Sequence, residues 1–136
     1  MFVDFFIIFA FHCLADYPLQ GQFLAQMKHK SIFVLACHCA IYTMCILASY
    51  VLLCHIHEYD VIQVVPLEGM ILATFLPHFI IDFAKCKARN DLYEGKDPNN
   101  PDRETWNKDL TLFYKDQIAH IFLICLVWWF AVSTHY

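Results

Sequence analysis

Charge is what this sequence has least of. Only 16% of its residues are Asp, Glu, Lys or Arg, where soluble domains carry roughly 25%, and 60% are hydrophobic against a usual share of about 45–50%. That balance excludes an ordinary water-soluble domain and calls for lipid as the solvent. The N-terminus also lacks what a secretory leader needs, a positive start and a small-residue cleavage site. Met1-Phe2-Val3-Asp4 is acidic, and the apolar run leads into Asp16-Tyr17-Pro18-Leu19-Gln20, so residues 2–15 are expected to form a retained helix. No basic run with interleaved aromatics is present, and no nucleic-acid partner is expected. Seven cysteines are an odd number, and Cys13, Cys37, Cys39, Cys45, Cys54 and Cys125 fall within apolar segments. They read as small packing residues rather than a disulfide framework. Cys37 and Cys39, which flank His38, are the pair that could instead reach a metal.

What is there is apolar sequence in four blocks: residues 2–15, 32–54, 67–84 and 118–132. A span needs about 20 residues, which the first and last blocks reach only by extending into residues 18–23 and 110–117. The expectation is an all-α integral membrane bundle of four transmembrane helices forming one domain over residues 1–136. A re-entrant first segment is the main rival. With four spans, residues 17–31 and 85–117 form loops on one side, and both termini and residues 55–66 lie on the other. All nine Lys and Arg residues (Lys28, Lys30, Lys85, Lys87, Arg89, Lys96, Arg103, Lys108, Lys115) fall on the first side. That asymmetry marks the side as cytoplasmic in a bacterial inner membrane, with both termini outside. Trp128, Trp129, Tyr136, Tyr50 and Tyr59 fall where an outer aromatic belt is expected. A polar stretch at about residues 90–110, rich in turn residues from Glu94 to Asp102, reads as a cytoplasmic loop bounded by short helical extensions of the third and fourth spans, or as a lid.

Three His/Asp pairs recur at a spacing of four: His12 with Asp16, His78 with Asp82, and Asp116 with His120. That spacing sets both side chains on one helix face, inside or beside apolar spans where ionisable groups are costly and mostly functional. At 1.5 Å per residue, His12 and His78 lie about 9 Å below the cytoplasmic interface, His120 about 7–8 Å and His38 about 10 Å. Each helix thus supplies a His to one level, with Asp16, Asp82 and Asp116 one turn nearer the cytoplasm. Imidazole and carboxylate together bind divalent metal, Zn foremost and Mn or Fe as alternatives. Seven candidate ligands (His12, Asp16, His38, His78, Asp82, Asp116, His120) suit one or two ions, with an uncoordinated Asp16, Asp82 or Asp116 as catalytic base. The alternative is that these residues hold the bundle together by hydrogen bonds. Lys28 and Lys85 could neutralise an anionic substrate or be plain interfacial anchors, and Gln20 and Gln117 could hydrogen-bond a ligand. His29 sits among lysines, while His55, His57 and His135 belong to the outer interface and are expected to be solvated.

In order, His12-x-x-Ala15-Asp16-Tyr17-x-Leu19-Gln20, Lys28, His38-x-x-x-Tyr42, His78-x-x-x-Asp82-x-x-Lys85 and Asp116-Gln117-x-x-His120 resemble a family of small phage and bacterial polytopic membrane proteins of unknown function. The layout also looks, more distantly, like the membrane-bound metal-dependent hydrolases. The first resemblance implies a phage or prophage origin. The second implies hydrolysis, by analogy of layout alone. The leading expectation is a membrane metallohydrolase acting on a lipid or lipid-linked (phospho)ester at the cytoplasmic leaflet, with membrane lipids as surroundings and a homo-oligomer left open. A divalent-metal or proton transporter or channel is the first rival. A non-enzymatic phage interaction protein with a structural metal is the second. The first and third helices, each with His-x-x-x-Asp ahead of a loop and a His-bearing helix, also suggest two parallel repeats, although Val34 stands where a matching Asp would be.

Overall fold

The computed structural model describes residues 2–64 and 66–133; His135 and Tyr136, assigned above to the outer interface, lie outside them. Among the described residues six helices follow one another: α1 (Phe2–Asp16), α2 (Gly21–Met27), α3 (Ile32–Ile56), α4 (Val61–Val64), α5 (Leu67–Leu92) and α6 (Arg103–Ser133). The described residues contain no strand.

Local chemistry sets the boundaries. Pro18 lies just beyond α1, as is common past a helix end. The chain then turns, and Gly21, at φ +59, adopts the left-handed conformation that favours glycine. As a result α2 leaves α1 at 79°. Ser31 starts α3 by accepting the Val34 N–H on its side chain at 3.5 Å, and Pro66 stands at the start of α5. Asp102 caps α6, its carboxylate taking the Thr105 N–H at 2.8 Å and the Thr105 hydroxyl at 2.9 Å. Pro77, inside α5, has no N–H to give the preceding turn and falls directly before His78.

The four long helices pack in a ring: α1 on α3, α3 on α5, α5 on α6 and α6 back on α1. Each neighbour runs antiparallel. Between α1 and α3, Asp4 meets His57 and His12 meets Tyr42; between α5 and α6, Lys85 meets Asp116 and Arg89 meets Asp109. The short helices α2 and α4 both lean on α3.

The surface is apolar and the centre holds the charge. Phe6, Phe33, Met44, Leu72, Ile80, Ile118 and Phe122 are among many exposed large hydrophobics, whereas His12, His38, His78, His120, Asp82 and Asp116 are buried. A water-soluble bundle shows the reverse. Helices α3, α5 and α6 are each long and apolar enough to cross a membrane, and α1 with α2 makes a fourth candidate if the bent pair is one broken span. These lengths mark the chain as a membrane protein with three to four spans. An apolar core of Ile8, Ile46, Tyr50, Leu53, Ile124 and Trp128 fills one half of the ring, tied across it by the Tyr50 hydroxyl donating to the Ile124 carbonyl at 2.7 Å.

Two expected boundaries move. Residues 85–117 are bounded by helical extensions of the third and fourth spans, as expected, and these run further than composition suggests: α5 continues to Leu92 and α6 begins at Arg103, which leaves residues 93–102 as the connection, shorter than the polar stretch at about 90–110. Arg89 reaches Asp109 at 3.1 Å, and Asp109 also accepts from the Tyr93 hydroxyl at 2.9 Å. The charged residues there decorate a helical hairpin rather than break it. Likewise residues 17–31 contain α2. All seven cysteines are free.

Candidate metal centre

Antiparallel packing brings the four histidines and three aspartates into one layer. His78 and Asp82 come from α5, and Asp116 and His120 from α6, each pair one turn apart on the face turned to the ring's centre. His12 and Asp16 come from the end of α1, and His38 from the second turn of α3.

Three atoms in this layer form a near-regular triangle. His38 Nε2 lies 3.4 Å from His78 Nε2 and 3.2 Å from Asp82 Oδ2, and His78 Nε2 lies 3.8 Å from that same oxygen. A point equidistant from all three stands about 2.0 Å from each, the length of a Zn–N or Zn–O bond. Asp16 Oδ1 approaches the triangle, 3.7 Å from His38 Nε2, and Cys39 groups with His78 and Asp82. Cys37 joins none of the groups that could hold an ion among the described residues.

A second group shares Asp82. Its other oxygen, Oδ1, lies 3.8 Å from His120 Nε2, and His120 Nδ1 lies 3.5 Å from Asp116 Oδ1. These separations exceed a hydrogen bond. Among the described residues neither nitrogen of His120, nor Asp116 Oδ1, Asp16 Oδ1 or His78 Nδ1, has a hydrogen-bond partner. Buried polar atoms are rarely left this way, and several orphaned donors and acceptors converge on one small volume here.

His12 differs from the other three histidines. Its Nε2 donates to Gln117 Oε1 at 2.9 Å and its Nδ1 accepts from the Tyr42 hydroxyl at 2.7 Å. Both nitrogens are committed, so His12 buttresses the layer and offers no free ligand atom. Gln117, expected to hydrogen-bond a ligand, links two candidate ligand carboxylates: its amide nitrogen donates to Asp16 Oδ2 at 3.0 Å and to Asp116 Oδ2 at 3.2 Å.

Lys28 and Lys85 do not project to the surface. Lys28 is only 8% exposed and donates to Asp82 Oδ2 at 3.1 Å; Lys85 donates to Asp116 Oδ2 and lies over the Phe113 ring. The bend between α1 and α2 returns Lys28 beneath α5. Gln20 is buried beside it, and with its amide turned to suit both neighbours it donates to the Asp16 carbonyl at 2.6 Å and accepts from Lys28 at 2.9 Å. Three carboxylates thus face two ammonium groups. With the carboxylates ionised and the imidazoles neutral, one negative charge is left over, and Asp16 is the member without a lysine.

A family model described as protein of unknown function (DUF3307) matches residues 4–136. The chain belongs to this family. No curated protein and no solved structure matches it. Every ligand candidate of this DUF3307 chain lies inside the matched residues.

One resident of the layer escapes a reading by His/Asp spacing. Tyr42 is fully buried, and its ring stacks on His78 with centroids 3.7 Å apart while its hydroxyl holds His12. It stands four residues after His38, the spacing at which α1 and α5 carry Asp, and that spacing was its one visible signal. Above the layer two adjoining cavities of about 310 and 440 Å³ share Gln20, Ala25, Lys28, Lys85 and Phe113. A larger cavity of about 790 Å³ lies at the opposite end. There His57, expected to be solvated, pairs with Asp4 at 3.0 Å, and Asp4 also accepts from the Trp128 indole at 3.1 Å. Among the described residues that end shows no convergent imidazoles like those of the first, and it belongs to the packing of α1 against α3 and α6.

Proposed function

We propose that the chain is a membrane-embedded metal-dependent hydrolase that opens to the cytoplasmic leaflet and cleaves a lipid or lipid-linked phosphoester or ester. The His38–His78–Asp82 triangle carries this reading, because its edges suit one tetrahedral zinc ion with a position open to water or substrate. Asp82, through its second oxygen, would together with Asp116 and His120 hold a second ion, the residue set of a two-metal hydrolase. A divalent ion would supply Lewis acidity and a water of lowered pKa. Asp16, a carboxylate with one orphaned oxygen facing the layer, would serve as general base. Zn fits the nitrogen-rich donor set best, with Mn or Fe as alternatives.

Orientation follows from the nine cations, all at the end of the bundle that holds the layer, which the positive-inside rule assigns to the cytoplasm and which puts both termini outside. A transport pathway through the same residues is disfavoured by the apolar core of Ile8, Ile46, Leu53, Ile124 and Trp128 that closes the other half of the ring.

The test is metal analysis of the detergent-purified protein after chelation and refilling. One to two Zn²⁺ per chain are expected, with the ion lost on His78→Ala, together with hydrolysis of a fluorogenic phosphodiester lipid that disappears in Asp82→Asn. A chain that takes up no stoichiometric metal would sink the proposal.

A further inference from the structure

We infer that the two buried lysines are exchangeable counter-ions, so that metal and an anionic phosphoryl group bind this site cooperatively. The inference rests on the metal reading above and adds to it a substrate class and a coupling.

Lys28 and Lys85 each face two ways. Inward they neutralise Asp82 and Asp116, two of the carboxylates that would ligate metal. Outward they line both cavities above the layer. A divalent ion on those carboxylates takes the place of the ammonium groups and repels them. Lys28 is buried and Lys85 half-buried, at 8% and 16% side-chain exposure, and an ammonium with so little access to water is stabilised by a new opposite charge.

The cavities are the space open to them, and the remaining lining there offers little relief. Gln20 and Ala25 are neutral, and Phe113, Leu110 and Trp106 form an apolar wall. Asp109 is engaged by Arg89 and by Tyr93, and Asp16 lies on the layer itself. Arg89 and Asp109, paired with each other there, leave that cavity's balance to the two lysines. Once metal holds the carboxylates, the mouth carries unbalanced cations around a volume that admits a phosphoryl group beside an apolar wall. The chemistry that fits is a phosphate monoester or diester, whether from a lipid headgroup or from a soluble phosphate. Without metal, the same lysines are occupied by Asp82 and Asp116, and the anion finds no free partner.

Coupling of this kind is reciprocal: the factor by which metal raises anion affinity is the factor by which the anion raises metal affinity. The experiment titrates the metal-stripped full chain, in detergent, with Zn²⁺ held at defined free concentration by a chelator buffer. Three conditions are compared: no added anion, inorganic phosphate, and mixed micelles containing phosphatidic acid. Zn²⁺ affinity is expected to rise on the order of tenfold with at least one phosphate source. A rise with inorganic phosphate assigns the mouth to free phosphoryl groups, and a rise with phosphatidic acid alone assigns it to a lipid headgroup. In Lys28→Met/Lys85→Met, Zn²⁺ binds more tightly without anion, because the competing ammonium groups are gone, and the anion-dependent rise vanishes. Stoichiometric Zn²⁺ binding of equal affinity in all three conditions overturns the coupling and leaves the metal site standing. Absence of Zn²⁺ binding in every condition overturns both. The comparison on the unmodified chain decides the matter even if the double variant does not fold.

Discussion

Tyr42 does two jobs with one side chain, and they can be separated. Tyr42→Phe keeps the ring on His78 but leaves His12 Nδ1 buried and unpaired, a loss of about 1–3 kcal/mol. Thermal unfolding in detergent should show that drop while zinc stoichiometry stays intact, in contrast to His78→Ala. His29, between α2 and α3, makes a second prediction. Burial, reinforced by Arg89, Lys28 and Lys85 and only partly opposed by Asp82, pushes its pKa down from 6.5 to about 4. The unfolded chain therefore binds this proton first as pH falls. The stability His29 contributes is complete above about pH 6.5 and is lost progressively towards pH 4. His29→Gln should flatten the fall in melting temperature between those limits. At this scale the candidate layer was largely legible, because a helix turns a spacing of four into a shared face. Lys28 was not, since its partner Asp82 lies 54 residues away and only the bend between α1 and α2 joins them.

Elements were legible where they are apolar and obscure where they are charged. Composition placed α3 to within a few residues. It put the apolar part of α5 no further than Ala84 and carried the last helix back only to about residue 110, with short helical extensions beyond, because charged residues mark the edge of lipid and not the edge of a helix. Ion pairs such as Lys108 with Glu104, one turn apart, carry α6 onward through water. The broken first element depends on Gly21, whose φ of +59 meets no neighbouring atom within 4 Å of a Cβ. Replacing it tests backbone strain alone. Gly21→Ala should cost about 1–2 kcal/mol, the left-handed penalty for an L residue, read as a lower melting temperature. It should also loosen the Lys28–Asp82 pair, raising the zinc affinity measured without anion.

The whole molecule is an inside-out bundle, with polar groups at its centre and Phe, Leu and Ile on its surface. Its global pattern was the easiest feature to read, since scarce charge along four apolar blocks leaves few alternatives to a membrane. The count of spans was harder, because α1, with 15 residues, is shorter than a bilayer crossing needs. Topology is tested by inserting a fluorescent protein, which matures only in the cytoplasm, into residues 97–100. Bright cells are expected, and dark cells expressing the fusion would reverse the orientation.

The supports of the candidate ligands have unlike lengths. Helix α6 is one unbroken rod of 31 residues, about 46 Å long, whose charged first turns run on past the roughly 30 Å of a hydrocarbon core. Such a rod meets a thinner or thicker bilayer by tilting as a whole, and Asp116 and His120 swing with it. Asp16 ends the separate and shorter α1, and Gln117 of α6 donates to its Oδ2 at 3.0 Å. A tilt of α6 is therefore expected to reach Asp16 through Gln117, which makes acyl-chain length a variable of the layer itself.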